Sequence, residues 1–296
     1  MPFRLRRSGA LVLALAAAGL FAACAVPGTT GSATGSTTTT DALAAATGAS
    51  SSTTTVLDTG TANPRPAWLG TRALPVGPNG FAAAQPTPPE LVDRRLVTVS
   101  DLPPPAGDGF ESSIEPVSLL VAARSTWNPA CPVALADLRY VKVSFFGFDG
   151  RFHTGELLVH ASVAPGMVEV FRQLHAARFP IEEMRIPRAA EMSAPPTGDG
   201  NDTASFACRP STGSTTTWSR HAFGLAIDVN PFHNPYVKGA VVLPELATAY
   251  LDRGNLRPGM IVSNDVVVRA FRSIGWEWGG DWKTLKDYQH FSDNGR

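Results

Sequence analysis

The chain has 296 residues with 25 basic and 25 acidic side chains, so its formal net charge is zero. A neutral chain offers no bulk attraction to polyanions, and nucleic acid is therefore not an expected partner. The length allows a domain with a sizeable core, and no apolar run beyond the N-terminal one is long enough to cross a membrane.

The first residues have the features of an export signal. Three arginines precede an apolar run over residues 11–21 that is too short to span a bilayer as a stable anchor. We therefore predict a signal peptide over residues 1–23. Its end, FAAC, resembles a bacterial lipobox, in which Cys24 becomes lipid-modified and begins the mature protein. The expected location is the outer face of the cell membrane through a lipid anchor, or the cell wall after secretion.

Composition divides the rest of the chain into three parts. Residues 24–63 are mostly Thr, Ser, Ala and Gly without a periodic apolar pattern. Such a segment buries too little surface to offset its ordering entropy, which predicts a disordered tether. Residues 64–116 are rich in Pro and Gly and are predicted to wrap over the domain as an extended, irregular segment. Residues 117–296 are predicted to form the functional domain.

Two cysteines remain if Cys24 carries lipid, namely Cys131 and Cys208. In an exported protein the default state of such a pair is a disulfide, and two free buried thiols are the alternative. The bridge would tie the loop that carries Arg209 to the start of the domain.

The domain begins with a predicted β-hairpin and a helix. Residues 138–146 and 154–160 alternate apolar and polar side chains around a turn at Gly150. A helix is expected to begin at Pro165, with four apolar residues on one face. These residues are Met167, Val170, Phe171 and Leu174.

The later part of the domain predicts a short strand and a second helix. Residues 226–229 are predicted to form a buried strand. Residues 265–274 are predicted to form a helix, with Ser263 or Asn264 as its N-cap and Gly275 at its end. A small antiparallel sheet with packed helices is an α+β fold.

Four polar residues in this domain have the spacing of a metal site. His221 and Asp228 lie seven residues apart around Gly224, and they can meet at one point if the chain between them turns from loop into strand. His290 is the third candidate ligand, and Asp287, three residues before it, can act as a general base. On spacing alone, a metal site and ordinary structural roles are equally open, because short motifs give many false matches.

The order of the motifs between residues 139 and 291 carries more information. They are N-x-T-x-x-F-x-C-R ending at Arg209, Ser219-x-His221-x-x-Gly224-x-Ala226-x-Asp228, Asn234-Pro235-Tyr236, the run WGGDW from Trp278 to Trp282, and Asp287-x-x-His290. This set resembles the zinc D-alanyl-D-alanine carboxypeptidases related to VanY, in the lysostaphin, DD-peptidase and hedgehog fold group. It is particularly similar to their L-alanyl-D-glutamate peptidase branch.

The resemblance implies a hedgehog/DD-peptidase-like fold and a zinc cofactor held by His221, Asp228 and His290. It also implies that Asp287 is the catalytic base and that Arg209 stabilises negative charge that develops on the substrate.

The resemblance further suggests three residues that contact a peptidoglycan peptide substrate, namely Ser219, Tyr236 and Trp278. A turn-forming role for Ser219 and a core position for Trp278 are the alternatives. His233, close to the zinc motif, is an additional candidate for substrate contact.

The expected function is therefore that of a monomeric zinc peptidase that cuts peptidoglycan stem peptides, either at D-Ala-D-Ala or at L-Ala-D-Glu. The alternative is an inactive peptidoglycan-binding lipoprotein module that retains a structural zinc. A signalling or adhesion lipoprotein is a third hypothesis, and only the tether supports it. The partners expected are the peptidoglycan peptide and, through the lipid on Cys24, the membrane.

Overall fold

The structure is a computed structural model that describes residues 61–296. The predicted signal peptide, Cys24 and nearly all of the predicted tether lie outside the described residues. Within residues 61–296, none of the helices combines the length and the apolar character that crossing a bilayer requires.

The described chain mixes short helices with short strands, which confirms the predicted α+β class. The strands are β1 (Ser112–Pro116), β2 (Leu138–Gly147), β3 (Phe152–His160), β4 (Pro180–Ile181), β5 (Ala226–Asp228), β6 (Tyr236–Lys238), β7 (Val241–Leu243), β8 (Glu277–Trp278), β9 (Lys286–Asp287) and β10 (His290–Ser292). The α-helices are α1 (Pro89–Val92), α2 (Leu119–Ala123), α3 (Ala164–Ala176) and α4 (Val266–Ser273). Short 3-10 helices occur at Leu135–Asp137, Ala189–Met192, Arg220–Phe223, Thr248–Tyr250 and Gly279–Asp281.

The strands pair into three small sheets. The largest has the order β1-β2-β3, with β4 also paired to β2. Its centre is the predicted hairpin, because β2 and β3 run antiparallel from Leu138 opposite His160 to Phe146 opposite Phe152. The other two sheets have the orders β5-β10-β8 and β7-β6-β9, and they hold most of the candidate site residues.

Helix α3 has the apolar face that the sequence predicts. It begins at Ala164, one residue before the predicted start. Met167, Val170, Phe171 and Leu174 are each at most 1% exposed and belong to the main core, together with buried residues of β2, β3 and α4. Burying each of these side chains stabilises the fold by about 1.5–3 kcal/mol.

Helix α4 packs in the same core and differs from the prediction at its first turn. Its N-cap is Asp265, whose carboxylate accepts a hydrogen bond from the backbone N–H of Val268 at 2.9 Å. The predicted caps Ser263 and Asn264 are wrong. Asn264 has a φ of 61°, so the chain turns there and the next residue takes the extended conformation of a cap. Gly275, with a φ of 81°, ends the helix as predicted.

The Pro- and Gly-rich segment at 64–116 is more ordered than the sequence suggests. The expectation of irregular chain is wrong for Ser112–Pro116, which pairs with β2 and adds an edge strand to the largest sheet. Leu91 and Leu96 are fully buried and form a second apolar cluster with Tyr250 and other residues of the C-terminal half. The segment is therefore packed against the predicted domain over much of its length.

The disulfide between Cys131 and Cys208 is present, with a Cα–Cα distance of 5.8 Å and a sequence separation of 77. It joins the chain before β2 to the residue that precedes Arg209. The bridge therefore restrains the start of the loop that leads to the candidate site.

Removing this bridge by replacing both cysteines with serine should lower the melting temperature. A crosslink over 77 residues reduces the entropy of the unfolded chain by an amount worth about 4 kcal/mol. For a protein of this size we expect a decrease of roughly 10 °C. Differential scanning calorimetry of the oxidised protein, the reduced protein and the double variant measures it, and equal melting temperatures for all three would contradict the prediction.

Candidate metal centre

Three side chains from separate elements meet at one end of the β5-β10-β8 sheet. They are His221 on the 3-10 helix Arg220–Phe223, Asp228 at the end of β5, and His290 at the start of β10. One ligand atom from each lies within 4.8 Å of the others, so the group can hold a metal ion. Asp228 and His290 meet because they are direct partners across the antiparallel pair β5 and β10.

The chain between His221 and Asp228 turns from helix into strand. Ser219 caps the 3-10 helix, since its hydroxyl accepts a hydrogen bond from the backbone N–H of His221 at 3.3 Å. Gly224 ends the helix in the left-handed conformation with a φ of 69°. A Cβ atom at Gly224 would lie 2.6 Å from the backbone nitrogen of His160, so the turn packs directly on the end of β3. This close approach explains why glycine occupies the middle of the motif.

Each histidine uses one ring nitrogen for a backbone oxygen and points the other at Asp228. His221 Nδ1 lies 2.6 Å from the carbonyl oxygen of Ser205, and its Nε2 lies 3.3 Å from Asp228 Oδ2. His290 Nε2 lies 3.3 Å from the backbone oxygen of Arg296, and its Nδ1 lies 3.1 Å from Asp228 Oδ1. Donation of the outer N–H to an oxygen acceptor is the usual way in which a metal-binding histidine is oriented.

The donor atoms fit a cation better than they fit one another. When His221 Nδ1 and His290 Nε2 carry the protons that they donate to backbone oxygens and both rings are neutral, the other two ring nitrogens have only lone pairs. These two atoms, His221 Nε2 and His290 Nδ1, lie 3.2 Å apart. A single proton between them can join two of the three groups, whereas a divalent ion accepts electron pairs from all three. Two imidazoles and one carboxylate are the ligand types of a catalytic metal site with a coordination position left for water.

The charges in the group also suit a cation. Burial lowers the pKa of His221, so this imidazole is neutral near pH 7. Burial favours the neutral form of Asp228, but the neighbouring imidazoles hold the pKa of this carboxyl well below its usual range. Burial opposes the charge of His290, yet the Asp228 carboxylate raises the pKa of this histidine above its ordinary value. A metal ion would therefore displace a proton mainly from His290.

Asp287, on β9, is an acid without a hydrogen-bond partner for one of its oxygens. Its Oδ1 is buried and accepts no hydrogen bond from the described residues. Burial raises the pKa of Asp287 to about 7, and the negative charge of Asp228 adds to this effect while His290 opposes it. A carboxyl with a pKa near neutrality and a buried, unpaired oxygen is typical of a general base.

Arg209 follows the disulfide-bonded Cys208 and stands at the base of a small hairpin. Its backbone oxygen accepts the N–H of Ser219 at 3.2 Å, and its guanidinium donates to the carbonyl of Pro210 at 3.2 Å. Within the described part of the chain no carboxylate pairs with it, although it is close enough to influence His221 and Asp287 electrostatically. Its charge is therefore available to an anionic group.

The predicted substrate-binding residues have different surroundings. Trp278 is 4% exposed, packs in the main core, and donates its indole N–H to the carbonyl of Tyr288 at 2.8 Å. The structure therefore favours the core position for Trp278. Ser219 is buried as the helix cap described above. Tyr236 is opposite Asp287 across β6 and β9, and burial together with the charge of Asp287 raises its phenol pKa.

The surroundings of His233 favour a structural role. It is fully buried, and its Nε2 donates to the carbonyl of Arg94 at 2.8 Å. Sequence reasoning also missed Ser205, whose carbonyl orients His221. The only sequence signal for Ser205 is that it lies in a compact, partly apolar stretch inside an otherwise polar loop.

Comparison with known proteins agrees with this geometry over the C-terminal part of the chain. Residues 212–293 match a family model described as D-alanyl-D-alanine carboxypeptidase. The matched region contains His221, Asp228, Asp287 and His290, but it begins after Arg209. The match supports a peptidase. No solved structure matches the chain.

Replacing Gly224 with alanine should disrupt the centre. The added methyl group would collide with the backbone of His160, and the chain must leave the left-handed conformation or shift His221. We expect a loss of stability of at least about 2 kcal/mol and at least about tenfold weaker metal binding. Gly150→Ala is the matched control, because Gly150 also has a positive φ but a Cβ there meets nothing within 4 Å. Equal metal affinity for both variants, measured by chelator competition, would refute this reading of Gly224.

Proposed function

We propose that this protein is a zinc-dependent peptidase that hydrolyses the stem peptides of peptidoglycan. The observation that carries the proposal is the convergence of His221, Asp228 and His290 beside Asp287, an acid with an unpaired, buried oxygen. The similarity of residues 212–293 to D-alanyl-D-alanine carboxypeptidases supports the substrate class.

The three ligands would supply two nitrogens and one oxygen to the ion. Zinc held by them would polarise the scissile carbonyl and lower the pKa of a water to about 7. The protein's own residues supply the remaining functions. His221 and His290 are oriented by backbone oxygens, so they do not need to reorganise when the ion binds.

Asp287 is the proposed general base. Its raised pKa allows it to accept a proton from the attacking water and to return that proton to the leaving amine. The charge of a bound cation would lower this pKa, which keeps the carboxylate ionised at neutral pH. Tyr236 lies on the adjoining strand and would contact the substrate near this proton transfer.

Arg209 is the proposed stabiliser of the negative charge that develops on the carbonyl oxygen or on a substrate carboxylate. The argument rests on its freedom from any carboxylate partner among the described residues and on its attachment, through Cys208, to a disulfide. A fixed cation of this kind requires little reorganisation during the reaction.

Export and anchoring would bring the domain to its substrate. In this proposal the lipid on Cys24 holds the protein at the outer face of the membrane, as a monomer. A tether of about forty residues has a root-mean-square reach of roughly 35 Å, which allows the domain to search nearby cell wall.

An inactive module that keeps a structural zinc is the second candidate, and the donor set argues against it. Structural zinc sites are closed by four protein ligands. Among the described residues the group that can hold a metal has three, and an acid with a free oxygen stands beside it.

Asp287→Asn should retain zinc and lose turnover. The amide cannot accept the proton of the attacking water, so we expect kcat to fall about 10²–10⁴-fold with the zinc content unchanged. Asp281→Asn is the control, because Asp281 is exposed and pairs with Arg272 at 2.7 Å. Steady-state kinetics on purified muropeptides, with metal analysis of each variant, tests this. Activity equal to that of wild type in Asp287→Asn would exclude the proposed base.

Arg209→Met should also retain zinc, and its kcat should fall about 10²–10³-fold. Arg209→Lys keeps the charge and should recover part of the loss. If the methionine variant changes neither kcat nor KM, the guanidinium does not contact the substrate.

Mass spectrometry of digested muropeptides identifies the bond that is cut. Loss of one D-alanine indicates a carboxypeptidase, and a new amino terminus on D-glutamate indicates an endopeptidase. Intact muropeptides after incubation with the zinc-loaded protein would favour the binding module.

A further inference from the structure

A buried ionic cluster lies outside the matched region and connects the segment before the predicted domain to the metal centre. Arg94 is 1% exposed and Glu182 is 0% exposed. Two parallel hydrogen bonds join them, from Nε to Oε2 at 2.7 Å and from Nη2 to Oε1 at 2.8 Å. Removing such charges from water is costly, so the contacts around them must be well formed.

The third nitrogen of Arg94 holds a different part of the chain. Its Nη1 donates to the carbonyl of Asp199 at 2.8 Å. Glu182 Oε2 accepts the side-chain amide of Asn201 at 2.7 Å, and Asn201 Oδ1 accepts the backbone N–H of Phe232 at 2.8 Å. Arg94 and Glu182 together therefore fix the backbone at residues 199–201.

The fixed segment leads directly to both sides of the metal centre. Thr203 donates its N–H to the carbonyl of Glu183 at 2.8 Å, which continues the attachment. Ala204 and Asp228 exchange backbone hydrogen bonds at 2.9 and 3.1 Å. The next residue, Ser205, provides the carbonyl that receives Nδ1–H of His221. Ala204 and Ser205, within four residues of Asn201, thus contact two of the three candidate ligands, Asp228 and His221.

The rest of the cluster gives Arg94 a single position. Its backbone N–H donates to the hydroxyl of Tyr250 at 2.9 Å, and its carbonyl accepts Nε2–H of His233. Its guanidinium stacks 4.2 Å from the ring centroid of Phe232. A side chain that is fixed by several contacts also fixes the residues to which it is hydrogen-bonded. Residues behind the ligands of a metal site orient those ligands in this way.

We propose that Arg94 is a positioning residue for the metal centre, acting through Glu182 and residues 199–205 on His221 and Asp228. The inference rests on the proposed function, because it requires that the wild-type protein binds zinc there. It predicts that a residue far from the ligands in sequence, in the Pro- and Gly-rich segment at 64–116, contributes to the metal affinity.

The test is zinc affinity measured by competition with a chromophoric chelator, at a temperature well below the melting temperature of each variant. Arg94→Met should weaken zinc binding at least about tenfold. Arg94→Lys keeps the charge beside Glu182 but loses the fork that also reaches the carbonyl of Asp199, so its affinity should lie between those of wild type and Arg94→Met. If Arg94→Met does not fold, the double variant Arg94→Met with Glu182→Gln takes its place in the test. It also removes the buried negative charge that Arg65, at 3.1 Å, would otherwise pair alone.

Another buried carboxylate that is paired by an arginine provides a control. Glu156 is 1% exposed and is paired by Arg124, and its carboxylate also accepts the hydroxyl of Tyr140 at 2.6 Å. None of these side chains bonds to residues 199–205. Arg124→Met should lower the melting temperature and leave the zinc affinity unchanged.

The outcomes separate the two proposals. Wild-type protein that binds no zinc removes the proposed function. If wild type binds zinc and the Arg94 variants bind it equally well, the positioning role is wrong and the function stands. Equal weakening in the Arg94 and Arg124 variants would attribute the effect to general stability and also overturn the positioning role. Weakening confined to the Arg94 variants supports it.

Discussion

The candidate site depends on the antiparallel pairing of two very short strands. β5 and β10 each have three residues, and their register places Asp228 opposite His290. A shift of one residue would turn one of these side chains to the other face of the sheet and separate the ligand atoms. Two strands of this length cannot define a register alone. Two further contacts fix the register. Phe291 on β10 is buried in the main core, and Ala204 forms backbone hydrogen bonds with Asp228 on the other side of β5.

The two acids of the site are distinguished by their environments. Asp228 lies between two imidazoles, which hold its pKa low and keep it ionised as a ligand. For Asp287, the burial of its carboxyl outweighs the opposing charges of His290 and Arg209, so its pKa rises to about 7. Neighbouring titratable groups whose pKa values are driven apart in this way take different chemical roles. In the proposed function, burial and neighbouring charges therefore distinguish the ligand from the base.

The sequence predicts those features that depend on local periodicity and on side-chain chemistry. The β2-β3 hairpin and the apolar face of α3 are read from alternation and from i, i+3, i+4 spacing, because both patterns reflect burial on one face. The N-cap of α4 is Asp265, one residue after the later of the two predicted positions, because the positive φ of Asn264 does not follow from residue type alone. The partners of the histidines were missed altogether. They are the backbone oxygens of Ser205 and Arg296, and a backbone oxygen has no signature in the sequence.

The position of Arg94 shows why long-range support is the hardest part to predict. The segment at 64–116 is rich in Pro and Gly, and composition does not distinguish its one buried arginine from a solvated one. Its proposed positioning role depends on Glu182, 88 residues later. The region that resembles D-alanyl-D-alanine carboxypeptidases, residues 212–293, contains all three candidate ligands, yet the carbonyl that orients His221 and the strand partner of Asp228 lie before it. The chemistry is therefore encoded in one part of the chain, while the geometry that the chemistry requires is maintained by another.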